Sequence, residues 1–550
     1  MKGIPPAAPP PPEFPPEQNQ LSRRAAWVLT GIFLLLVGVP PLLDGLPGRV
    51  REFAAAAAGK GSSQPVAERL RGFDASVAAA GITDGPRQLT QQILTDFLGK
   101  GNDRVLIGQD GWLFYRPEIQ ALTGYGPLQP EPHSVSRDPA LLDWEAPLEP
   151  IREFAAQLKE RGVALWLVPV PMKPTIYPEM LGGTAASAPV RHRDAPRFFE
   201  QLEAAGVRVI DPAAMLFKAK EEAGHQASAP DRRLYLPDDT HWSTRGMTLT
   251  AALLADQVKQ QAWWTPPGGP AWQVRPALSA AGHGDLVDKL GLREPARWQL
   301  PRAEPLQVVE LPEGVASPVD RASPVVVLGD SFVNIFDDAG LGFGLPGGGP
   351  STRAGLAWHL AARLGMALDV HAVNGEGASG VRRWLGQRGE TVVRSKKLVI
   401  WVIAGRDLFL SRSVAKANRI IWDRVTIAPD PPPAPDQPAP QSGPVMVEAE
   451  AVEKSDQADP RRANYENALY TVKYEIRKVL SGRAPEGAFE VVHWHFKKRE
   501  LQPTSRIEAG RTYRLKLEPW SGHPELQPIN REELGGEEPA WWAESAEAVP

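Results

Sequence analysis

At 550 residues the chain is long enough for about two to four domains and a sizeable core. Its net charge of -4 gives no electrostatic ground for a nucleic-acid partner. The absence of cysteine excludes disulfides and thiolate metal sites.

The first predicted element is a disordered, proline-rich cytoplasmic tail over residues 1–21. Arg23 and Arg24 then precede an uncharged stretch from Ala25 to Leu43 (AAWVLTGIFLLLVGVPPLL). At about 1.5 Å per residue, roughly 19 residues reach about 28 Å, enough to span a bilayer core. Residues 22–45 are read as a transmembrane signal-anchor, with Pro40 and Pro41 marking its far end. The arginines keep the N-terminal side cytoplasmic, so the expected location is the inner membrane, single-pass, with the catalytic domain periplasmic. A cleaved signal peptide is the rival reading. The anchor is favoured because no A-x-A-like site directly follows the apolar run. Residues 46–100 alternate alanine-rich and polar stretches and are predicted to form a helical stalk.

Residues 101–428 have an α/β texture. Val105 to Gly108 and Gly111 to Tyr115 predict two strands around a turn. Leu148 to Arg161 has helical spacing. Val163 to Val170 (VALWLVPV) is a continuous apolar run of strand length, as a parallel sheet covered on both faces requires. A helix over Ala195 to Ala205, a strand over Val207 to Ile210 and a helix over Thr244 to Gln257 follow. Val325 to Leu328, Ala354 to Leu364, Leu368 to Val373 and Leu398 to Ala404 continue the alternation. The expected fold class is α/β, a mostly parallel sheet covered by helices.

A proline-rich linker occupies 429–444. Beyond it the apolar period becomes two: Tyr470, Val472, Tyr474 and Ile476, then Tyr513, Leu515 and Leu517. With Val445 to Val452 and Phe489 to Phe496, this predicts a small all-β domain over 445–535, a sandwich or barrel of four or five short antiparallel strands. Residues 536–550 are read as a tail.

Two strings carry the chemistry. Leu328-Gly329-Asp330-Ser331-Phe332 places a serine on the turn where an apolar strand ends, where open α/β sheets build their sites. Asp239-Thr240-His241-Trp242 puts a carboxylate two residues before a histidine. A serine hydroxyl is a poor nucleophile near neutral pH unless a base takes its proton, and the base needs an orienting acid. Ser331, His241 and Asp239 can fill these roles. The alternative is that Ser331 and Asp239 merely cap helices and His241 packs.

Five strings occur in the order found in the AlgJ/AlgX-like alginate O-acetyltransferases, whose catalytic domain is SGNH-hydrolase-like. They are GQDGWLFY (Gly108 to Tyr115), VPVPMKPTIYPEML (Val168 to Leu181), DTHWSTRG (Asp239 to Gly246), GDL (Gly284 to Leu286) and LGDSF (Leu328 to Phe332). Over residues 100–425 the chain resembles that family. The Asp-x-His string precedes the serine block, as in the acetyltransferases and unlike ordinary SGNH hydrolases. The resemblance implies Ser331 as nucleophile, His241 as base and Asp239 as orienting acid. It also implies a membrane-bound O-acyltransferase partner that delivers acetyl, a polysaccharide acceptor, and no cofactor.

The Ser331 N–H and the Asn374-Gly375-Glu376-Gly377 turn are candidate oxyanion donors. Gly405-Arg406-Asp407 stands where SGNH enzymes usually carry a Gly-x-Asn-Asp string, so Arg406 is a candidate for binding donor or polymer. Lys173, Tyr177 and Trp242 are candidates for lining the mouth. In the β domain, His493-Trp494-His495 puts two histidines on one strand face with no third ligand evident, and no metal is expected there. An esterase using the same triad, and a non-catalytic polysaccharide-binding scaffold, are the rival functions.

Overall fold

The structure is a computed structural model that describes residues 84–129, 146–182, 185–266, 272–310, 320–346, 352–430, 445–455, 457, 460, 467–485, 487–498, 500–523, 526, 529–532, 534 and 541–549. The proline-rich tail, the proposed anchor, the stalk up to residue 83 and the linker from residue 431 lie outside the described residues. Among the described residues no helix is long and apolar enough to cross a membrane.

Contacts divide the chain into two units. The described part of the first is the start of the helix Asp84–Leu98 together with Leu292–Glu294, where Gln92 accepts the Glu294 N–H at 3.1 Å. The second unit, Thr95–Gly291 with Pro295–Pro550, contains a parallel sheet and a β-barrel.

A short hairpin, β1 (Val105–Ile107) and β2 (Leu113–Tyr115), opens the α/β part. Then come β3 (Ala164–Val170), β4 (Arg208–Val209), β5 (Gln273–Leu278), β6 (Pro305–Glu310), β7 (Val325–Gly329), β8 (Asp369–Ala372) and β9 (Leu398–Ala404). Five of these form the main sheet in the order β4-β3-β9-β7-β8, every pair parallel. The apolar runs alternate between its faces, as a period of two requires. Trp166, Val168, Val327 and Ile400 enter the core on one face; Leu167, Leu328, Val399 and Trp401 enter the core on the other. Helices Thr244–Lys259 and Leu356–Leu364 cover the first face, and Leu148–Glu160 and Gly380–Gln387 cover the second. The antiparallel pair β5–β6 has no counterpart in the sequence reading. Its first strand is mostly exposed, so it shows no apolar period.

The C-terminal strands are β10 (Val445–Lys454), β11 (Ala468–Ser481), β12 (Ala488–Lys497), β13 (Glu500–Leu501), β14 (Thr512–Pro519), β15 (Asn530–Glu532), β16 (Trp541–Trp542) and β17 (Ala546–Ala548). Pairing runs β12-β16-β14-β10-β11 and returns to β12, which closes a barrel. Closure removes the free edges that an open sheet would expose. Val447, Tyr470, Val472, Tyr474 and Leu515 fill the interior, the same alternation that the sequence displays.

Two corrections follow. The closed ring has five strands, but β13, β15 and β17 extend its sheet to eight, and two pairs, β11–β15 and β12–β16, are parallel rather than antiparallel. Residues 541–548 are not a tail: Trp542 is buried against Trp494 and Trp520, and Ala546–Ala548 pairs with β14. Two adjacent tryptophans in a segment too short to show a period carry that strand.

Candidate active site

Ser331 begins a single helical turn at the carboxyl end of β7. Asp330 clamps this turn. Its Oδ1 accepts the Phe332 N–H at 2.9 Å and its Oδ2 accepts the Ala404 N–H of β9 at 2.9 Å. Gly377 lets the neighbouring turn come close, since a Cβ there would sit 2.8 Å from Asp330 Oδ2.

His241 comes from a tight loop between residues 234 and 243. The Leu236 N–H donates to the His241 carbonyl and the Ser243 N–H to that of Leu234. Ser243 then caps the helix Thr244–Lys259 by accepting the Gly246 N–H at 3.3 Å. His241 Nε2 lies 2.7 Å from Ser331 Oγ, and Nδ1 lies 2.6 Å from Asp239 Oδ1. The same Oδ1 accepts the His241 backbone N–H at 2.8 Å, while Oδ2 accepts the Asp285 N–H at 2.9 Å. The carboxylate is thus aimed at Nδ1 from three directions, which leaves Nε2 free to take a proton from Ser331.

Asp285, inside the Gly284 to Leu286 string, escaped the sequence reading. It accepts the Thr240 N–H at 2.8 Å, the Thr240 hydroxyl at 2.9 Å and the Lys289 ammonium at 2.7 Å. Burial alone would raise its pKa, but the Lys289 and His241 charges and these hydrogen bonds together hold it well below the usual carboxylate range. Asp239, His241 and Asp285 bring one ligand atom each within 4.8 Å of one another, the one metal-like grouping among the described residues. Their lone pairs already face Lys289, Thr240, Ser331 and backbone N–H groups, so the cluster reads as a relay rather than a cation cradle.

A pocket of about 120 Å³ opens on Ser331 and His241. Of the candidates from the sequence, Asn374, Gly375 and Arg406 line it and Gly377 does not. The Asn374 side chain is engaged on both sides, accepting from Asn334 at 3.1 Å and donating to Asp338 at 2.9 Å. Gly375 has a φ of +86°. Among the described residues the backbone N–H groups of Ser331 and Gly375 find no acceptor, which leaves both available to an oxyanion.

Arg406 sits over the Tyr115 and Phe332 rings at 5.5 and 6.0 Å. Its guanidinium lies 3.7 Å from Glu118 and 3.5 Å from Asp407. Burial alone would lower its pKa, but the Asp407 and Glu118 charges outweigh that and raise it. Burial pushes Asp407 and Glu118 each up to about 7, against the pull of Arg406. Glu118 carried no signal in the sequence, where it reads as an ordinary first-turn acid of the helix Arg116–Thr123.

Three candidates move away from the mouth. Lys173 is fully buried and donates to the carbonyls of Leu113 at 2.7 Å and Pro237 at 3.2 Å, tying β2 to the loop that carries Asp239. Burial lowers its pKa to about 8. Tyr177 packs 4.6 Å from Trp112, donates to the Ala227 carbonyl and accepts the Leu234 N–H. Trp242 is fully buried, donates to the Phe332 carbonyl at 3.0 Å and meets the Phe332 ring edge-on. All three brace the loop and the turn from behind, because their apolar bodies gain more from the core than from a wet mouth. In the barrel, His493 is buried between the Tyr474 hydroxyl and the Ala543 carbonyl, and burial lowers its pKa to about 4.

A helix-covered parallel sheet with a serine, a histidine and a carboxylate converging beyond its carboxyl ends defines an SGNH-hydrolase-like α/β domain. Residues 105–404, more than half of the chain, match the family described as "SGNH hydrolase-like domain, acetyltransferase AlgX", and the chain belongs to that AlgJ/AlgX-like family. It is 27% identical over 208 residues to the probable alginate O-acetylase AlgJ of Pseudomonas aeruginosa, covering 38% of this chain and 46% of that protein. It is 26% identical over 277 residues to the protein of the same name from Pseudomonas syringae pv. tomato, covering 50% of this chain and 60% of that one. The chain therefore spans about half the length of the curated relatives it matches. The solved O-acetyltransferase domain of Pseudomonas putida AlgJ aligns at a TM-score of 0.37 and 22% identity, covering 55% of this chain and 92% of that domain, a likeness that carries no functional argument.

Proposed function

We propose that the protein is an O-acetyltransferase that moves an acetyl group, held as an ester of Ser331, to a hydroxyl of an exported alginate-like or other exopolysaccharide. The observation that supports this most is the chain of contacts from Ser331 Oγ through His241 to Asp239, at 2.7 and 2.6 Å. The names of the family and of the curated relatives favour acetyl as the group and a polysaccharide as the acceptor.

In the first half-reaction His241 Nε2 takes the Ser331 proton as Oγ bonds to the donor carbonyl carbon. The bond to the leaving group breaks, and His241 returns the proton to that group. In the second, Nε2 takes a proton from the sugar hydroxyl, whose oxygen attacks the acetyl carbon. The bond to Ser331 Oγ breaks and Oγ recovers the proton. Asp239 holds Nδ1–H toward itself and stabilises the imidazolium that forms twice per cycle. The Ser331 and Gly375 N–H groups receive the charge on the carbonyl oxygen.

The stretch Ala25 to Leu43 and the arginines before it favour a single-pass anchor, with the catalytic part periplasmic. In that arrangement a membrane-bound O-acyltransferase supplies acetyl from the cytoplasmic side.

The test compares full-length wild type with Ser331→Ala in detergent, each given a chromogenic acetyl ester with and without an oligosaccharide. Mass spectrometry then reads acetyl on protein and on sugar. Acetylated sugar from wild type only is the expected result. Acetate release without acetylated sugar would favour an esterase. Identical behaviour of the two proteins would leave a binding scaffold.

A further inference from the structure

The pocket at Ser331 is not built by the α/β part alone. Asn467 and Ile529 of the barrel also line it, beside Gly340, Leu341 and Gly342 of the loop after the nucleophile turn. Barrel topology places these two side by side. Strands β11 and β15 are parallel with Ala468 opposite Asn530, so Asn467 and Ile529 are the residues immediately before the first matched pair. They stand together at the N-terminal end of one strand pair, and that end abuts the catalytic pocket.

The orientation of Asn467 is fixed. Its Oδ1 accepts the Lys498 N–H at 2.9 Å. Its Nδ2 lies on the Gly340 side, 3.6 Å from where a Cβ on Gly340 would stand. Among the described residues Nδ2 meets no acceptor, so two N–H donors remain unused at the rim of the pocket. The barrel is also held near this edge by an ion pair at 3.3 Å between Glu532 of β15 and Arg419 of the α/β part.

We infer that the barrel supplies the acceptor side of the catalytic pocket, with Asn467 Nδ2 donating to a hydroxyl oxygen of the acceptor sugar and Ile529 packing on its ring C–H groups. Resting on the acyl-transfer reading above, the inference names what biases the acetyl-enzyme toward a sugar hydroxyl instead of water. Amide donors next to an apolar side chain match a ring that carries hydroxyls on an aliphatic frame. An acceptor held there competes with water through its raised local concentration at the acetyl carbon.

The test reads the ratio of acetylated oligosaccharide to free acetate, using the full-length protein, a chromogenic acetyl ester and a neutral oligosaccharide as acceptor. Asn467→Ala should lower that ratio by about tenfold, the worth of one hydrogen bond to the acceptor, and raise the half-saturating oligosaccharide concentration. Ile529→Ala, scored in the same way, should lower the ratio as well, and Ile529→Leu should restore most of it. Because a ratio is scored, partial misfolding that reduces both products equally does not mimic the effect. A ratio unchanged in both alanine variants would overturn the inference while leaving the acyl-enzyme intact. Wild-type protein that forms no acetyl-Ser331 would instead overturn the underlying reading, and the inference with it.

Discussion

Glu118, only 1% exposed, places a carboxylate oxygen 3.7 Å from the guanidinium of Arg406, which reaches the wall of the Ser331 pocket. Burial raises the Glu118 pKa from 4.5 to about 7, with Arg406 and Lys173 opposing. The folded protein therefore holds more protons than the unfolded chain between pH 4.5 and 7, and this group's contribution to stability falls as pH rises through that window. Glu118→Gln should flatten the slope. The change in slope is at most about 1.4 kcal/mol per pH unit, the limit for one proton, read from urea melts at pH 4.5, 6 and 7.5. A slope identical to wild type would show that Glu118 is not buried as a protonatable group.

Asp285 acts on the reaction only through the loop that carries Asp239 and His241. It ties Thr240 down through two hydrogen bonds, and its own N–H fixes Asp239 Oδ2. Asp285→Ala releases Thr240, and misplacing a reacting group by about 1 Å can cost roughly 100-fold in rate. The expected outcome is a kcat for ester hydrolysis 10- to 100-fold lower, by that same reasoning, with KM little changed. Asp285→Asn, which keeps an amide oxygen to accept from Thr240 and the backbone N–H that fixes Asp239, should recover much of kcat. A loss confined to KM would contradict a positioning role.

Much of this arrangement is legible in the chain because it rests on local pattern. The apolar runs Val163 to Val170, Val325 to Leu328 and Leu398 to Ala404 announce the parallel sheet, since only strands covered on both faces are apolar throughout. The Asp-x-His spacing is short enough for one loop to bring Asp239 Oδ1 to both the backbone and the ring of His241. What is not legible depends on long-range contact. Nothing near Glu118 tells that Arg406 will face it, and nothing near Asn467 or Ile529 tells that the barrel docks beside Ser331. Lys173, Tyr177 and Trp242 sit in the right strings, but sequence does not reveal on which side of the loop a side chain falls. The core claims all three.

Trp242 makes that difference measurable. Its indole N–H satisfies the Phe332 carbonyl one residue past Ser331, and its ring supports Phe332, which lies 4.6 Å from the His241 ring. Trp242→Phe keeps the aromatic body but leaves a buried carbonyl without its donor, a loss of about 1–3 kcal/mol. Urea denaturation should report a lower midpoint with an unchanged m value. The KM for an oligosaccharide acceptor should stay near wild type, since the side chain faces the core and not the pocket. A large rise in acceptor KM at unchanged stability would instead put Trp242 on the sugar.

Asp239 separates a catalytic relay from a structural cap most sharply. Its Oδ1 meets both the backbone and the ring of His241, and its Oδ2 takes the Asp285 N–H. Asp239→Asn preserves size, and one amide oxygen can still accept from Asp285. The amide nitrogen, however, turns a donor toward Nδ1 and favours the tautomer with its proton on Nε2. Nε2 is then no longer an acceptor for the Ser331 proton, and the imidazolium loses its counter-charge. In serine hydrolases the same exchange lowers kcat by about 10⁴-fold with the geometry intact. Asp239→Asn should melt close to wild type yet form acetyl-Ser331 slower by a factor of that order, measured by rapid-quench mass spectrometry. Adding Ser331→Ala to it should cost little more than Ser331→Ala alone, because members of one relay fail together. If Asp239 only capped the loop, the asparagine variant would keep most of its rate, and the double variant would lose activity in proportion to each change.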